Sequence, residues 1–390
     1  ILVAPSLILT HSHFRNRQLL TQFHMDGWLF TDFQGHDFLS KSFLKLTDRV
    51  CTRRLFYYIP VSGEPVKLLS AIEPLLLDHL PGQRILYKGM EERHRALEKI
   101  LIPKSRVACQ YSPDGNVPVI SSMDAGLIEY LKGFDIELVS SADIMQHFGA
   151  ILDDEQIESH KQAATMIYRI LNKTFVWIRK NIDQGTYINE WMMLQEMKRL
   201  IANENIHMDG PPFFGIDEHG CDPGYEPSEI GSKEIKEGSR LMIDIAGRLP
   251  EENAIYYDIS WCMNVGPDID PEYEKLFNIV WNARQQALDY IQTQLDNQQS
   301  VRGCDVDALT QSYFKSLDLG QYIMHRTGHN IGHTCHGIGA NLDDYETHDT
   351  RSLLPGTMFS IEPGIYTGTY GVRLEYDVHI TEDRKATIYG

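Results

Sequence analysis

Four carboxylates stand where apolar side chains belong. Asp244 ends the apolar run of SRLMIDIAG, Asp258 follows Tyr256 and Tyr257 in AIYYDISWCMNVG, Glu362 follows FSI in TMFSIEPGIYTG, and Glu375 sits inside GVRLEYDVHIT. Each segment otherwise has the aliphatic and aromatic content of a buried strand. One Asp in a strand is ordinarily a turn or surface residue. Four of them need something that offsets their charge, because like charges brought together repel unless a proton or a metal ion intervenes. The polar stretch RLPEEN between the two Asp residues reads as a hairpin loop. A hairpin symmetric about residue 251 sets Asp244 directly opposite Asp258, on one face. Arg373 and Glu375, two apart, share a face, and an internal ion pair is the plainest reading of those two.

A fifth element is the segment MHRTGHNIGHTCHGIG, which holds His325, His329, His333 and His336 among Gly328, Gly332, Gly337 and Gly339. Glycine at that density implies close backbone approach or unusual dihedrals rather than a helix. Neutral imidazole is the commonest protein metal ligand. Four carboxylates with one imidazole make a hard, oxygen-rich donor set that favours Mn²⁺, with Co²⁺, Fe²⁺ or Zn²⁺ as substitutes. Four negative charges exceed what one divalent ion neutralises, so two ions fit better, and a two-metal site can hold a bridging hydroxide as nucleophile.

Around these motifs the chain has two textures. Residues 1–150 alternate strand-like runs (GWLFTD, RRLFYYIP, SRVACQY) with the helical spacing of PVKLLSAIEPLLLDHL and MEERHRALEKIL, the pattern of an α/β domain. The opening ILVAPSLILT is too short for a membrane span and lacks a basic start, so it reads as a buried strand. Asp32, His36 and Asp37 lie close in sequence and read as surface polar residues. Residues 151–390 show two helices and then strands, twice over, an α+β domain that looks pseudo-duplicated. Its first helix carries Ala164, Ile167, Leu171, Phe175 and Ile178 on one stripe.

The net charge of −18 argues against a nucleic-acid or anionic-membrane partner, which would need a basic face. The six cysteines are scattered, with no CxxC pair, so free thiols in a reducing compartment, the cytoplasm, are expected.

From about residue 155 to 390 the chain resembles the pita-bread metallopeptidases, the family of Xaa-Pro aminopeptidase and prolidase: LMIDIAG, YDIS, HRTGHNIGHTCHG, FSIEPGIY and GVRLE occur in that family's order. The resemblance implies a pita-bread catalytic domain behind a creatinase-type N-terminal domain. It implies hydrolysis of Xaa-Pro bonds in small peptides by two metal ions on Asp244, Asp258, His329, Glu362 and Glu375, with Asp258 and Glu375 bridging. Glu362 would double as acid/base. His325 and His336 would contact substrate, and Arg373 matches the family's arginine beside the last glutamate. His333 has no carried-over role and is expected to be structural or on the surface. Homodimers are common among similar proteins.

Three departures stand out. The loop between the Asp residues is longer than the family's, Ser260-Trp261-Cys262 replaces a Thr-Arg-Thr, and Gly224 in DPGYEPSE stands where a substrate-binding histidine is usual. His219 or the Tyr225 hydroxyl is the available substitute. Two other readings stay open: a hydrolase of another small amide or C–N bond, since one scaffold hosts several substrates, and a weakly active or silent peptidase-fold protein.

Overall fold

The structure, a computed structural model, describes residues 12–46, 49 and 51–389. The opening ILVAPSLILT, read above as a strand, lies outside the described residues. The chain forms two compact units, the first ending at Gly149 and the second beginning at Ala150.

The first unit contains α1 (Ser12–Gln22), β1 (Gly27–Asp32), α2 (Phe38–Phe43), β2 (Leu55–Pro60), β3 (Val66–Ser70), β4 (Gln83–Tyr87), α3 (Met90–Ile100), β5 (Arg106–Cys109), α4 (Ala125–Lys132), β6 (Glu137–Ser140) and α5 (Ala142–Gly149). Its strands make one mixed sheet in the order β4-β3-β2-β1-β5-β6. Two expectations fail here. PVKLLSAIEPLLLDHL is not a helix: its first part pairs as β3 with β2 and β4. The remainder closes in successive tight turns (Glu73 N–H to Ser70 O, Asp78 N–H to Leu75 O), with Pro74 lacking the amide that a helix would need. Asp32 and Asp37 are not surface residues but buried, 1% and 3% exposed. Asp32 accepts the amides of Gly35 and Asp37, and Asp37 caps α2 through the Ser40 amide. They serve local turn and cap geometry, while His36 is exposed.

The second unit opens with α6 (Asp154–Asp183) and α7 (Glu190–Glu204), followed by β7 (Phe213–Ile216), β8 (Arg240–Gly247) and β9 (Tyr257–Asn264). The order then repeats with α8 (Pro271–Asp296) and α9 (Gly303–Ser316), followed by β10 (Asn330–Ile331), β11 (Met358–Ile361), β12 (Gly364–Tyr366), β13 (Gly371–Arg373), β14 (Tyr376–Ile380) and β15 (Ala386–Ile388). The sheets are β7-β8-β9, β10-β11-β14-β15 and the pair β12-β13. Helix α6 starts with a capping box between Asp153 and Gln156. Its apolar stripe, Ala164, Ile167, Leu171 and Ile178, packs with Ile243 and Ile245 of β8 and Ile259 of β9. Phe175 is only half-buried, at the margin of that core.

The sheets are tied together where the unusual carboxylates lie. The Glu375 amide donates to Ser260 O at 3.1 Å, and the Asp258 amide donates to the Asp377 carboxylate at 2.9 Å. No described helix is long and apolar enough to cross a membrane.

Ile243 lies in the middle of β8 and is fully buried. Ile243→Ala should therefore destabilise the second unit by about 2–5 kcal/mol, the cost of removing a buried aliphatic side chain. Chemical denaturation followed by circular dichroism checks it.

Candidate metal centre

The register of β8 against β9 decides how the two Asp residues meet. Asp244 is opposite Ser260, and Asp258 is opposite Ala246. The hairpin is therefore centred one residue later than a loop symmetric about 251 would give, and the two carboxylates are diagonal rather than opposed. A displacement of two along the strand leaves the pleat parity unchanged, so they still share a face. The offset opens room for Ser260 between them. Its hydroxyl donates to Glu375 Oε2 at 2.9 Å and accepts from Arg373 Nε at 2.8 Å.

Arg373 does not pair with Glu375. Its Nη2 is bonded to Asp244, and its Nη1 donates to the Tyr366 hydroxyl at 3.0 Å. His325 is held through both ring nitrogens. Its Nδ1 is 2.7 Å from Arg326 O, and since a carbonyl only accepts, the proton sits on Nδ1. Nε2 then accepts from Tyr366 OH at 2.7 Å. A directed chain runs from Arg373 through Tyr366 to His325.

His329 is buried behind this chain. Its Nδ1 lies 3.3 Å from Asn330 O, which leaves Nε2 to face two carboxylates: Glu362 Oε1 at 3.3 Å and Asp258 Oδ2 at 3.6 Å. Asp258, His329 and Glu375 each offer a donor atom within 4.8 Å of the others. His336 is exposed and stands edge-on to His329, with ring centroids 4.1 Å apart. His333 points elsewhere, its Nε2 lying 3.3 Å from the Gln156 amide of α6, as a structural residue would. The glycines of this segment serve close packing: a Cβ at Gly328 would collide with Ser360 O, and one at Gly337 with the Asn330 side chain.

The electrostatics are those of a cation site. Burial pushes Asp244 up to about 7, with the charges of Asp258 and Glu362 adding and Arg373 opposing. Burial and four neighbouring carboxylates, Asp258, Glu362, Asp244 and Asp377, hold Glu375 well above the usual range. Asp258 runs the other way: burial raises it, but the His329 hydrogen bond and charge and the Cys335 thiol outweigh that and leave it lowered. Asp258 Oδ1 and Glu375 Oε1 are buried with no hydrogen-bond partner among the described residues. Buried carboxylate oxygens without donors fit a cation, so the donor set suits divalent metal ions.

Sequence reasoning missed three members of the site. Ser260 and Tyr366 are ordinary strand residues with no outward signal. Asp377 had one: it lies two residues beyond Glu375, on the same pleat, in an equally apolar run. It is fully buried, with Oδ1 lacking a partner among the described residues. A rim feature was missed as well. Glu190, fully buried, accepts from the Tyr225 hydroxyl at 2.5 Å, from His219 Nδ1 at 2.9 Å and from the Lys233 amide at 2.7 Å. Gly224 itself is exposed, its amide bonded to Asp222.

A carboxylate raised from 3.8 to about 7 on folding destabilises the metal-free protein progressively as pH rises across that interval. Metal-free Asp244→Asn should therefore gain Tm relative to metal-free wild type between pH 4 and 7. Differential scanning fluorimetry across that range tests the sign.

Comparison with known proteins places this geometry. Residues 158–382 match the sequence pattern of metallopeptidase family M24. The chain is 30% identical over 257 residues to a probable dipeptidase PepE of Mycobacterium tuberculosis, covering 64% of this chain and 61% of that protein. It thus spans about three fifths of the length of the curated relatives it matches. The dipeptidase PepE of Mycobacterium ulcerans has a similar fold, with TM-score 0.66 at 19% identity, over 98% of this chain and 97% of the other. A Xaa-Pro dipeptidase from Bacillus anthracis gives TM-score 0.60 at 19% identity, over 97% and 96%.

Proposed function

The chain belongs to metallopeptidase family M24, and from that premise we propose that it hydrolyses Xaa-Pro bonds in small peptides with two divalent ions held by Asp244, Asp258, His329, Glu362 and Glu375. The observation that carries this reading is the meeting of Asp258, His329 and Glu375 within 4.8 Å of one another, with two buried carboxylate oxygens left without donors. The Xaa-Pro preference is supported by the likeness to a Xaa-Pro dipeptidase. The carboxylate-rich set by itself favours Mn²⁺, with Co²⁺, Fe²⁺ or Zn²⁺ accepted.

Bound ions supply Lewis acidity at the scissile carbonyl and a water acidified near neutral pH. The chain's own residues do the rest. Asp258 and Glu375 would help hold the ions; each has one oxygen held (Asp258 by Cys335 and His329, Glu375 by Ser260) and the other unpartnered among the described residues. Glu362 is fixed by the Ser360 hydroxyl at 3.1 Å and remains partly open, as a group that takes a proton from water and passes it to the leaving amine must be. The Tyr366 hydroxyl, accepting from Arg373 and donating to His325, fixes the orientation of the His325 ring. His336 and His219 flank the substrate from the rim. The glutamate beneath His219 fixes the proton on its Nδ1, which leaves Nε2 for substrate.

Chelator-treated protein should be inactive and regain activity best with Mn²⁺ or Co²⁺, and full activity in protein shown by elemental analysis to be metal-free would overturn the mechanism. Asp258→Asn and Glu375→Gln should each lose metal occupancy together with turnover, whereas Glu362→Gln should lose turnover far more than occupancy. At the rim, His219→Ala should lower kcat/KM by about 10²-fold, the scale of losing one donor aimed at developing charge. Gly224→His, a change at an exposed turn, should move it less than about twofold, well under that scale. Steady-state kinetics on one Xaa-Pro dipeptide tests both.

A further inference from the structure

Cys335 enters the mechanism above only as a hydrogen-bond donor to Asp258, yet its sulfur is in the centre. Sγ lies 2.8 Å from Asp258 Oδ2, the oxygen that also faces His329 Nε2. Cys335, His329 and His336 each present a donor atom within 4.8 Å of the other two, a second potential metal-holding group that shares His329 with the first. The sulfur reaches the site from the margin of a small apolar cluster formed by Leu152, Ile255, Tyr256, Ile331 and Met358. The thiol could serve only to hydrogen-bond Asp258. A thiol is a weak donor, however, and Asp258 Oδ1 is still left buried without a partner among the described residues. The clustering of the thiol with two imidazoles points instead to a shared cation. Two donors on one tetrahedral ion, with metal–sulfur and metal–oxygen or –nitrogen bonds of about 2.3 and 2.0–2.2 Å, stand roughly 3.3–3.6 Å apart. The His329 separations from Glu362 and Asp258, 3.3 and 3.6 Å, are of that size, whereas Cys335 and Asp258, at 2.8 Å, stand at the distance of a thiol hydrogen bond and must move apart to admit an ion.

We propose that Cys335 is a metal ligand: together with His329 and His336 it gives one side of the centre a thiolate and two imidazoles beside Asp258, so that this side takes a borderline or soft divalent ion, Zn²⁺, Co²⁺ or Cd²⁺, in preference to Mn²⁺. This rests on the reading of Asp258 and His329 as metal ligands, and it moves His336 from substrate contact to the metal. Binding breaks the S–H bond, forms the sulfur–metal bond and releases one proton to solvent. Soft thiolate donors select such ions over hard ones. One polypeptide would then offer a hard carboxylate position and a softer one side by side, and the two ions need not be the same element.

The test uses the whole chain, stripped with chelator and titrated with Co²⁺ alone. Co²⁺-loaded wild type should show a near-ultraviolet sulfur-to-cobalt charge-transfer band. The band should vanish in Cys335→Val and Cys335→Ser while Co²⁺ remains bound by elemental analysis. In the same variants the ratio of Cd²⁺ to Mn²⁺ affinity should fall by about tenfold, the scale on which groups around a metal site alter affinity. A readout that needs no variant is alkylation of Cys335 followed by mass spectrometry. Co²⁺ should protect the thiol in wild type and Mg²⁺ should not. Co²⁺ binding without the band, a band that survives in both variants, or equal alkylation with either ion would overturn the proposal and leave the carboxylate centre standing. Failure to bind Co²⁺ at all would instead remove the centre itself.

Discussion

Burial of negative charge without enough positive charge is the constraint on which the second unit is built. Five carboxylates, Asp244, Asp258, Glu362, Glu375 and Asp377, converge where two sheets meet, and among the described residues the groups of opposite charge beside them are the Arg373 guanidinium and the His329 imidazole, while burial holds His160, 3.8 Å from Asp377, toward its neutral form. Arg373 is committed to Asp244, and His329 to Asp258 and Glu362. In a low-dielectric interior such an imbalance costs far more than a surface cluster would, and the chain answers it in two ways. Burial and like charge shift Asp244 and Glu375 toward their protonated forms, and the rest of the imbalance is what a divalent ion would offset. Metal binding and folding are therefore linked in this unit: a charge arrangement that burdens the bare protein becomes an asset once cations arrive.

The same arrangement explains what the sequence made legible. Asp244, Asp258, Glu362 and Glu375 announced themselves because charge inside apolar runs is rare without a purpose, and the glycine-rich histidine segment was legible because such spacing cannot be helical. Face and partner were not equally readable. Pleat parity follows from the alternation of residues, so the shared face of Asp244 and Asp258 was accessible. The register was not, because a loop of this length does not fix it. Arg373 was matched with the nearest carboxylate in sequence, whereas the fold delivers one 129 residues away. Asp377 reaches Asp258 across 119 residues, and no local pattern encodes that meeting.

In the first unit the errors have a different source. The apolar repeats of residues 65–80 fit a helical period, but their first part was claimed by an interior strand paired on both sides, an instance of tertiary pairing overriding local spacing. Asp32 and Asp37 show the opposite failure. Polar residues beside a turn are usually exposed, but here their side chains replace backbone partners within the turn and so are drawn inside.

One feature of the β8–β9 hairpin bears on how this scaffold can be altered. What holds β9 in register is its far side, where the Glu375 amide meets Ser260 and Asp377 holds the Asp258 amide. Pro250–Asn253 at the tip is exposed and has no part in that clamp. Loop length and strand alignment are thus uncoupled, and the tip behaves as an interchangeable module on a fixed chassis. Graded insertions there, even odd-numbered ones, would lengthen the loop without turning Asp258 to the wrong side of the sheet, which makes this a place where the chain can grow without disturbing its carboxylates.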